Sequence, residues 1–114
     1  MHACHTERSA TGDGLYAATY RLPAALAERI AGRRVAIVDD VVNAGSAVRA
    51  TLSALHSAGA VPVAIGALLT LGPTPAAVAA DAGLPLVALA NRPNDLWEPA
   101  ACPRCRAGEP LAAP

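Results

Sequence analysis

Apolar and polar positions are arranged in blocks along this chain, and the blocks predict alternating strands and helices. Short apolar runs rich in Val, Leu and Ile indicate strands over residues 34–38, 61–71 and 86–90. Between these runs, apolar residues recur at helical spacing from Ser46 to about Ala58 and, in a weaker Ala-rich segment, from Thr74 to Gly83. Both sides of each strand are apolar, so we expect strands that are buried on both faces.

The order strand, helix, strand, helix, strand builds right-handed βαβ units and predicts an α/β fold with a mainly parallel sheet and flanking helices. With 114 residues, the chain has room for a single domain. We expect a flexible loop over residues 1–14, the α/β core over 15–90 and an irregular, proline-rich tail over 91–114. The core is expected to begin with a short strand and a helix, over Leu15–Leu22 and Pro23–Gly32.

Composition narrows the possible partners. The chain is 54% hydrophobic and 16% charged with a formal net charge of zero, so no overall field favours nucleic acid or an anionic membrane surface. The longest nearly apolar run, residues 60–71, is too short to span a bilayer, and the first residues are too polar for a secretory signal. We therefore expect a cytoplasmic protein with no nucleic-acid or membrane partner. Every basic residue is Arg, which excludes a catalytic lysine in this chain.

Two adjacent acids and a small-residue turn form the most informative stretch. Asp39 and Asp40 follow the apolar run that ends at Val38, and Asn43–Ser46 leads into the next helix. In an open parallel sheet, ligands bind beyond the carboxyl ends of the strands. Carboxylates there can accept hydrogen bonds from ribose hydroxyls or lie near Mg²⁺, and a turn containing Gly at a helix start offers N–H groups to a phosphate. The pattern indicates a sugar-phosphate site.

A simpler interpretation needs no ligand. Two acids after a strand, followed by small residues, also form an ordinary strand-to-helix loop with Ser46 as the helix N-cap. Dinucleotide-binding and Walker-type phosphate sites are excluded, because the chain contains neither Gly-x-Gly-x-x-Gly nor Gly-Lys-Ser/Thr.

Residues Val35–Val48 resemble the phosphoribosyl pyrophosphate (PRPP) motif of type I phosphoribosyltransferases. The run from Asp39 to Ala47 is most similar to the orotate phosphoribosyltransferase version, with Asn43 where Thr is usual. The resemblance covers roughly the C-terminal half of such an enzyme. It implies a Rossmann-like fold, Mg²⁺ as cofactor, and transfer of a phosphoribosyl group from PRPP to an orotate-like nucleobase with release of pyrophosphate. We also expect a homodimer, because a half-sized Ala-rich sheet would otherwise expose apolar surface.

The resemblance also implies roles for individual residues. Asp39 and Asp40 would bind the ribose hydroxyls and, together with Arg8 of the N-terminal loop, form the catalytic set. Arg49 occupies the place of an arginine that contacts the base, although a solvent-exposed helix arginine explains it equally well. No protein ligand for a metal is assigned. The PRPP-binding set would comprise Asp39, Asp40, Val41, Val42, Asn43, Ala44, Gly45, Ser46 and Ala47.

Two other functions stay open. The loop lacks the lysines usual in the family and the preceding half of the enzyme is missing, which would suit a catalytically idle module that binds PRPP or a nucleoside monophosphate. Cys102 and Cys105 have zinc-knuckle spacing and would suit a small metal-dependent interaction domain, although a structural zinc site needs four ligands. The same cysteines also fit a redox pair or a tail without metal.

Overall fold

A computed structural model describes residues 3–10, 18–95, 97 and 99–110. The part it describes alternates strands with helices, as the apolar pattern predicts. The elements in chain order are β1 (Glu7–Ala10), β2 (Ala18–Arg21), α1 (Ala24–Ile30), β3 (Arg34–Val42), α2 (Ser46–Ser57), β4 (Val61–Leu71), α3 (Thr74–Asp81), β5 (Leu86–Arg92), a 3₁₀ turn (Pro99–Ala101) and α4 (Pro103–Arg106).

A parallel sheet with the strand order β3-β4-β5 forms the centre of the fold, and the α/β prediction is confirmed. Helix α2 packs on β3 and β4, and α3 packs on β4 and β5. The core between the helices and the sheet is built from aliphatic side chains. Its buried members are Ile37, Val42, Val48, Leu52, Leu55, Ala60, Ile65, Ala67, Val78 and Ala79.

The opposite face of the sheet is apolar and exposed in the described part of the chain. Val38 on β3 aligns with Gly66 on β4 and Val87 on β5, and the next residues on this face include Leu68 and Leu89. The exposed fractions are 78% for Val38, 58% for Leu68, 63% for Val87 and 80% for Leu89. The prediction of strands buried on both faces is therefore wrong. Right-handed crossovers that step in one direction across a sheet place their helices on the same face.

An antiparallel hairpin precedes the sheet. Strand β1 pairs with β2, and β2 packs against α2. The expectation of a loop over residues 1–14 is wrong for residues 7–10, whereas residues 1–2 and 11–17 lie outside the described part. The expected short strand appears as β2, and the helix after Pro23 appears as α1.

Two other boundaries differ from the sequence prediction. Strand β3 continues past Val38 to Val42, because β4 is long enough to pair with the added residues, Asp39 with Ala67 and Val41 with Leu69. The tail that we expected to be irregular continues β5 to Arg92 and contains the short helix α4. Within the residues described, none of the helices has the length and apolar character needed to cross a membrane.

Candidate functional site

The two adjacent acids lie near the carboxyl end of β3, within the strand rather than after it. Successive strand residues point to opposite faces of a sheet, so Asp39 lies on the face covered by helices and Asp40 lies on the open face. Asp39 is half-buried and Asp40 is exposed. One oxygen of each carboxylate accepts a local hydrogen bond, from the Asp40 N–H to Asp39 Oδ1 at 3.0 Å and from the Val41 N–H to Asp40 Oδ1 at 2.7 Å. The second oxygen of each carboxylate makes no hydrogen bond within the described residues, so it can meet a ligand.

The surroundings of Asp39 make its charged form less favourable than that of an exposed aspartate. Burial raises the pKa of the Asp39 carboxyl above its ordinary value, and the hydrogen bond from the Asp40 N–H partly opposes this rise. The neighbouring Asp40 carboxylate raises the pKa of Asp39 further. A cation or a pair of hydroxyl donors beside Asp39 would relieve this unfavourable charge, so the site suits a ligand that brings either one.

The turn between β3 and α2 is shaped by a glycine. Gly45 is the N-cap of α2 with φ of 73°, and a Cβ atom there would lie 2.7 Å from Val78 Cγ2. Both the left-handed backbone and the close approach of α3 therefore require glycine. The prediction that Ser46 caps the helix is wrong, because Ser46 is the first helical residue and no side chain caps α2.

Backbone N–H groups are consequently available at this turn. The N–H groups of Ala44 and Gly45 make no hydrogen bond within the described part of the chain. The first N–H groups of any helix also lack intrahelical partners. Together these donors lie at the positive end of the α2 dipole, which is the arrangement that binds phosphate groups in proteins.

Two side chains hold the turn from outside. Arg49 is exposed and folds back on the turn, where its Nη1 donates a hydrogen bond to the Ala44 carbonyl at 3.1 Å. Asn94, from the segment after β5, donates from Nδ2 to Asn43 Oδ1 at 2.9 Å. Our sequence prediction missed Asn94, although its position just beyond the end of β5 places it at the same sheet edge as the turn.

A cavity of about 290 Å³ lies beside Asp39, between β3, α2 and the chain that leads into β1. Its polar lining side chains come from different elements, so a ligand there would meet several of them at once. They include His5, Thr6, Tyr20, Asp39 and Thr51. Arg8 belongs to β1 opposite Tyr20, and its side chain lies outside the described part of the structure.

A larger cavity of about 390 Å³ lies between the β2–α1 segment and the outer side of α2. Its lining includes Tyr20, Arg21 and Leu22 together with small residues of α2, and neither acid of the pair reaches it. Size alone would make it the first candidate for a ligand site. We favour the smaller cavity, because it adjoins the Asp39 carboxylate.

The predicted site residues are brought together only in part. Asp39–Val42 form the end of β3, Asn43–Gly45 form the turn, and Ser46–Ala47 begin α2, so the predicted PRPP-binding set is contiguous in space. The strand, however, directs Asp39 and Asp40 to different faces.

Metal ligands are sparse. Among the residues that the structure describes, no group of three or more His, Cys, Asp or Glu side chains lies close enough to hold a metal ion. Carboxylate oxygens still suit Mg²⁺, which in proteins is often held by one or two carboxylates, several waters and the substrate phosphates. Either Asp39 or Asp40 could supply one such carboxylate, with phosphate oxygens supplied by the ligand.

Comparisons with known proteins support the fold. A scan against models of protein families finds no match, and a search of curated proteins finds none. Among solved structures, the chain is similar to adenine phosphoribosyltransferase from Leishmania donovani, with 20% sequence identity and a TM-score of 0.51. The similarity covers 96% of this chain and 56% of that one, so the chain spans little more than half of the solved protein. At this identity, the likeness shows a shared fold: this chain folds like part of a phosphoribosyltransferase.

Proposed function

We propose that this chain binds PRPP together with Mg²⁺ and transfers the phosphoribosyl group to a nucleobase. The observation that carries the proposal is the run from Asp39 to Ala47. It combines a carboxylate pair, a glycine turn and an uncapped helix start at the carboxyl end of one strand, in a fold similar to a phosphoribosyltransferase.

The carboxylates would bind the ribose hydroxyls. Asp39 offers its free oxygen beside the cavity, and Asp40 offers its own from the other face of β3. A single ribose can meet both oxygens only if it lies across the edge of β3, which is an outer strand of the described three-stranded sheet. We therefore propose that the sugar binds at this edge and that Asp39 and Asp40 orient its C1′ atom.

The 5′-phosphate would bind at the turn. The N–H groups of Ala44 and Gly45 and the start of α2 provide donors, and Ser46 adds an exposed hydroxyl. Arg49 provides a positive charge at the same turn, and we propose that it contacts the base in an orotate-like enzyme.

Catalysis in this arrangement would rest mainly on positioning. The bond from C1′ to pyrophosphate breaks, a base nitrogen bonds to C1′, and positive charge develops on the ribose between the two events. Carboxylates beside the ribose would stabilise that charge, and the segment leading into β1 lines one side of the cavity. Bound Mg²⁺ would neutralise the leaving pyrophosphate. The assignment of Arg8 as a catalytic residue stays a prediction, as does the cytoplasmic location.

The alternative is a module that binds PRPP or a nucleoside monophosphate without catalysing transfer. It is favoured by the absence of lysine from this chain. In both proposals the ligand occupies the same site, so binding and turnover must be measured separately.

Replacing Asp39 by Asn should weaken binding of PRPP with Mg²⁺. Asn keeps the oxygen that accepts from the Asp40 N–H and removes the negative charge, so the loss reports the carboxylate's contact with the ligand. We expect a loss of about 1.4 kcal/mol or more, a tenfold change in Kd, by isothermal titration calorimetry. Asp81→Asn is the matched control, since it removes the same charge at the exposed end of α3. Equal affinities for the two variants would contradict the assigned site.

The same Asp39→Asn variant should be more stable than the wild type at neutral pH when no ligand is present. Because the folded-state pKa of Asp39 is raised, the folded chain binds a proton at this carboxylate more readily than the unfolded chain does. The free energy of unfolding therefore falls as pH rises from the unfolded-state pKa through the folded-state pKa. Urea unfolding at neutral pH should show the gain, and the gain should vanish below the ordinary pKa of 3.8. A variant that is less stable at neutral pH would show that the carboxylate is not unfavourable in the free site.

An assay of pyrophosphate release should distinguish the enzyme from the idle module. With PRPP and Mg²⁺ present, orotate and adenine are offered separately as acceptors. Turnover with orotate that is lost in Asp39→Asn would support the orotate-like enzyme, and turnover with adenine alone would reassign the base. PRPP binding without turnover would support the idle module. Failure of both binding and turnover would overturn both proposals.

We also propose that the chain forms a homodimer through the open face of the sheet. The four large aliphatic side chains on this face expose an area on the order of 500 Å², near the upper limit for a monomer. Together with the residues around it, this face approaches the area of roughly 800 Å² that each partner buries in a standard protein–protein interface. A formal net charge of zero adds no overall repulsion between two copies, and stacked sheets pack face to face at about 10 Å.

Leu89→Glu should convert the dimer into a monomer, because the substitution places a charge on the apolar face at its most exposed leucine. Analytical ultracentrifugation at micromolar concentration measures the change, and we expect dissociation to become at least about tenfold more favourable. Ala76→Glu on the exposed side of α3 adds the same charge away from that face and should leave the dimer intact. A wild-type chain that is monomeric under these conditions would contradict the proposal.

A further inference from the structure

Two thiols lie together in the described tail, away from the acid pair. Cys102 is the N-cap of α4 and is half-buried, and Cys105 is exposed in the first turn of that helix. The Cys105 N–H donates a hydrogen bond to Cys102 Sγ at 3.3 Å. The Arg106 N–H donates to the Cys102 carbonyl at 3.1 Å, which closes the turn. The sulfur of Cys102 therefore lies over the backbone of Cys105.

A disulfide between Cys102 and Cys105 would require a small movement within this turn. Side chains three residues apart on a helical turn have Cβ atoms about 5–6 Å apart, and a disulfide needs them about 3.5–4.5 Å apart. The bond therefore requires a contraction of about 1–2 Å within one turn. The turn can make this movement at low cost, because α4 packs chiefly on the neighbouring 3₁₀ turn rather than in the core.

The surroundings give the two thiols different properties. Hydrogen bonds from Cys105 lower the pKa of the Cys102 thiol, and the positive charge of Arg104 lowers it further. The pKa of Cys105 is raised, chiefly by its side-chain hydrogen bond with Cys102. Arg104 also pairs with Glu109, at 2.6 Å between Nε and Oε2, which holds the guanidinium near this turn. Cys102 is thus the better attacking thiolate, and Cys105 keeps its proton until it attacks in the second step.

We propose that Cys102 and Cys105 form a reversible dithiol–disulfide pair that exchanges with low-molecular-weight disulfides such as oxidised glutathione. The Cys102 thiolate attacks one sulfur of the reagent, the reagent's S–S bond breaks, and the departing thiolate takes a proton from solvent. Cys105 then loses its proton and attacks the Cys102 sulfur, which releases the second thiol. One protein dithiol and one small disulfide become one protein disulfide and two small thiols, a transfer of two electrons.

A zinc site is the competing use of the same residues. Zinc in structural sites takes four ligands, and within the described residues these cysteines join no group of three or more potential ligands. Two copies of the chain would supply four thiolates, so the zinc content of the purified protein is measured as one outcome of the test.

The test uses the full chain, reduced and then equilibrated at neutral pH in glutathione buffers of graded ratio. After acid quenching, remaining thiols are alkylated and located by peptide mass spectrometry. We expect Cys102 and Cys105 to become protected together, and Cys4→Ser, the control outside the pair, to behave as the wild type does. Cys105→Ser should retain one glutathione on Cys102. In the reduced wild type at neutral pH, iodoacetamide should modify Cys102 at least about tenfold faster than Cys105.

Three results would overturn the inference. Both thiols could stay open to alkylation at every glutathione ratio. Oxidation could yield only disulfides between chains, seen as linked dimers on non-reducing gels. The purified protein could also hold zinc at one ion per two chains, which would assign the pair to a metal. None of these results depends on PRPP binding, so the inference fails or survives separately from the proposed function.

Discussion

The contact between α2 and one face of the parallel sheet is the interaction on which the rest of this structure depends. Val48 and Leu55 of α2 and Ile65 of β4 are almost wholly buried, in a chain that has no Phe and few other aromatic residues. Aliphatic packing of this kind is the main favourable term available to such a core. It sets the angle at which β3 enters the turn and therefore the place where Asp39 meets the start of α2.

The turn itself is held by neighbours that come from distant parts of the sequence. Val78 of α3 leaves room only for a glycine at position 45, and Asn94 reaches Asn43 from beyond β5. Donors fixed in this way need little reordering when an anion binds, which lowers the entropic cost of binding. Asp39 instead lowers the stability of the free protein, since partial burial disfavours its charged form. A site that is unfavourable until its ligand arrives is a common compromise between stability and function.

Much of this arrangement could be predicted from local pattern. Apolar periodicity predicted the three strands of the parallel sheet and the helices between them, because side chains of a buried strand and of an amphipathic helix repeat with different periods. The adjacency of Asp39, Asp40 and Gly45 in the sequence also predicted the position of the candidate site, since parallel strands present their carboxyl ends at one sheet edge.

Other features were decided only by tertiary contacts. Strand β3 extends to Val42 because β4 supplies partners, and β1 forms because β2 lies beside it. The local sequence of β1 and of the end of β3 does not reveal these pairing strands. The exposure of Leu89 could not be predicted from the sequence either, because an apolar strand has the same sequence pattern whether one face or both faces are covered. Sequence by itself determined that the three strands of the parallel sheet and the helices between them form, since periodicity is a local property. Tertiary structure decided which faces are covered and which residues meet, because those depend on contacts between segments far apart in the chain.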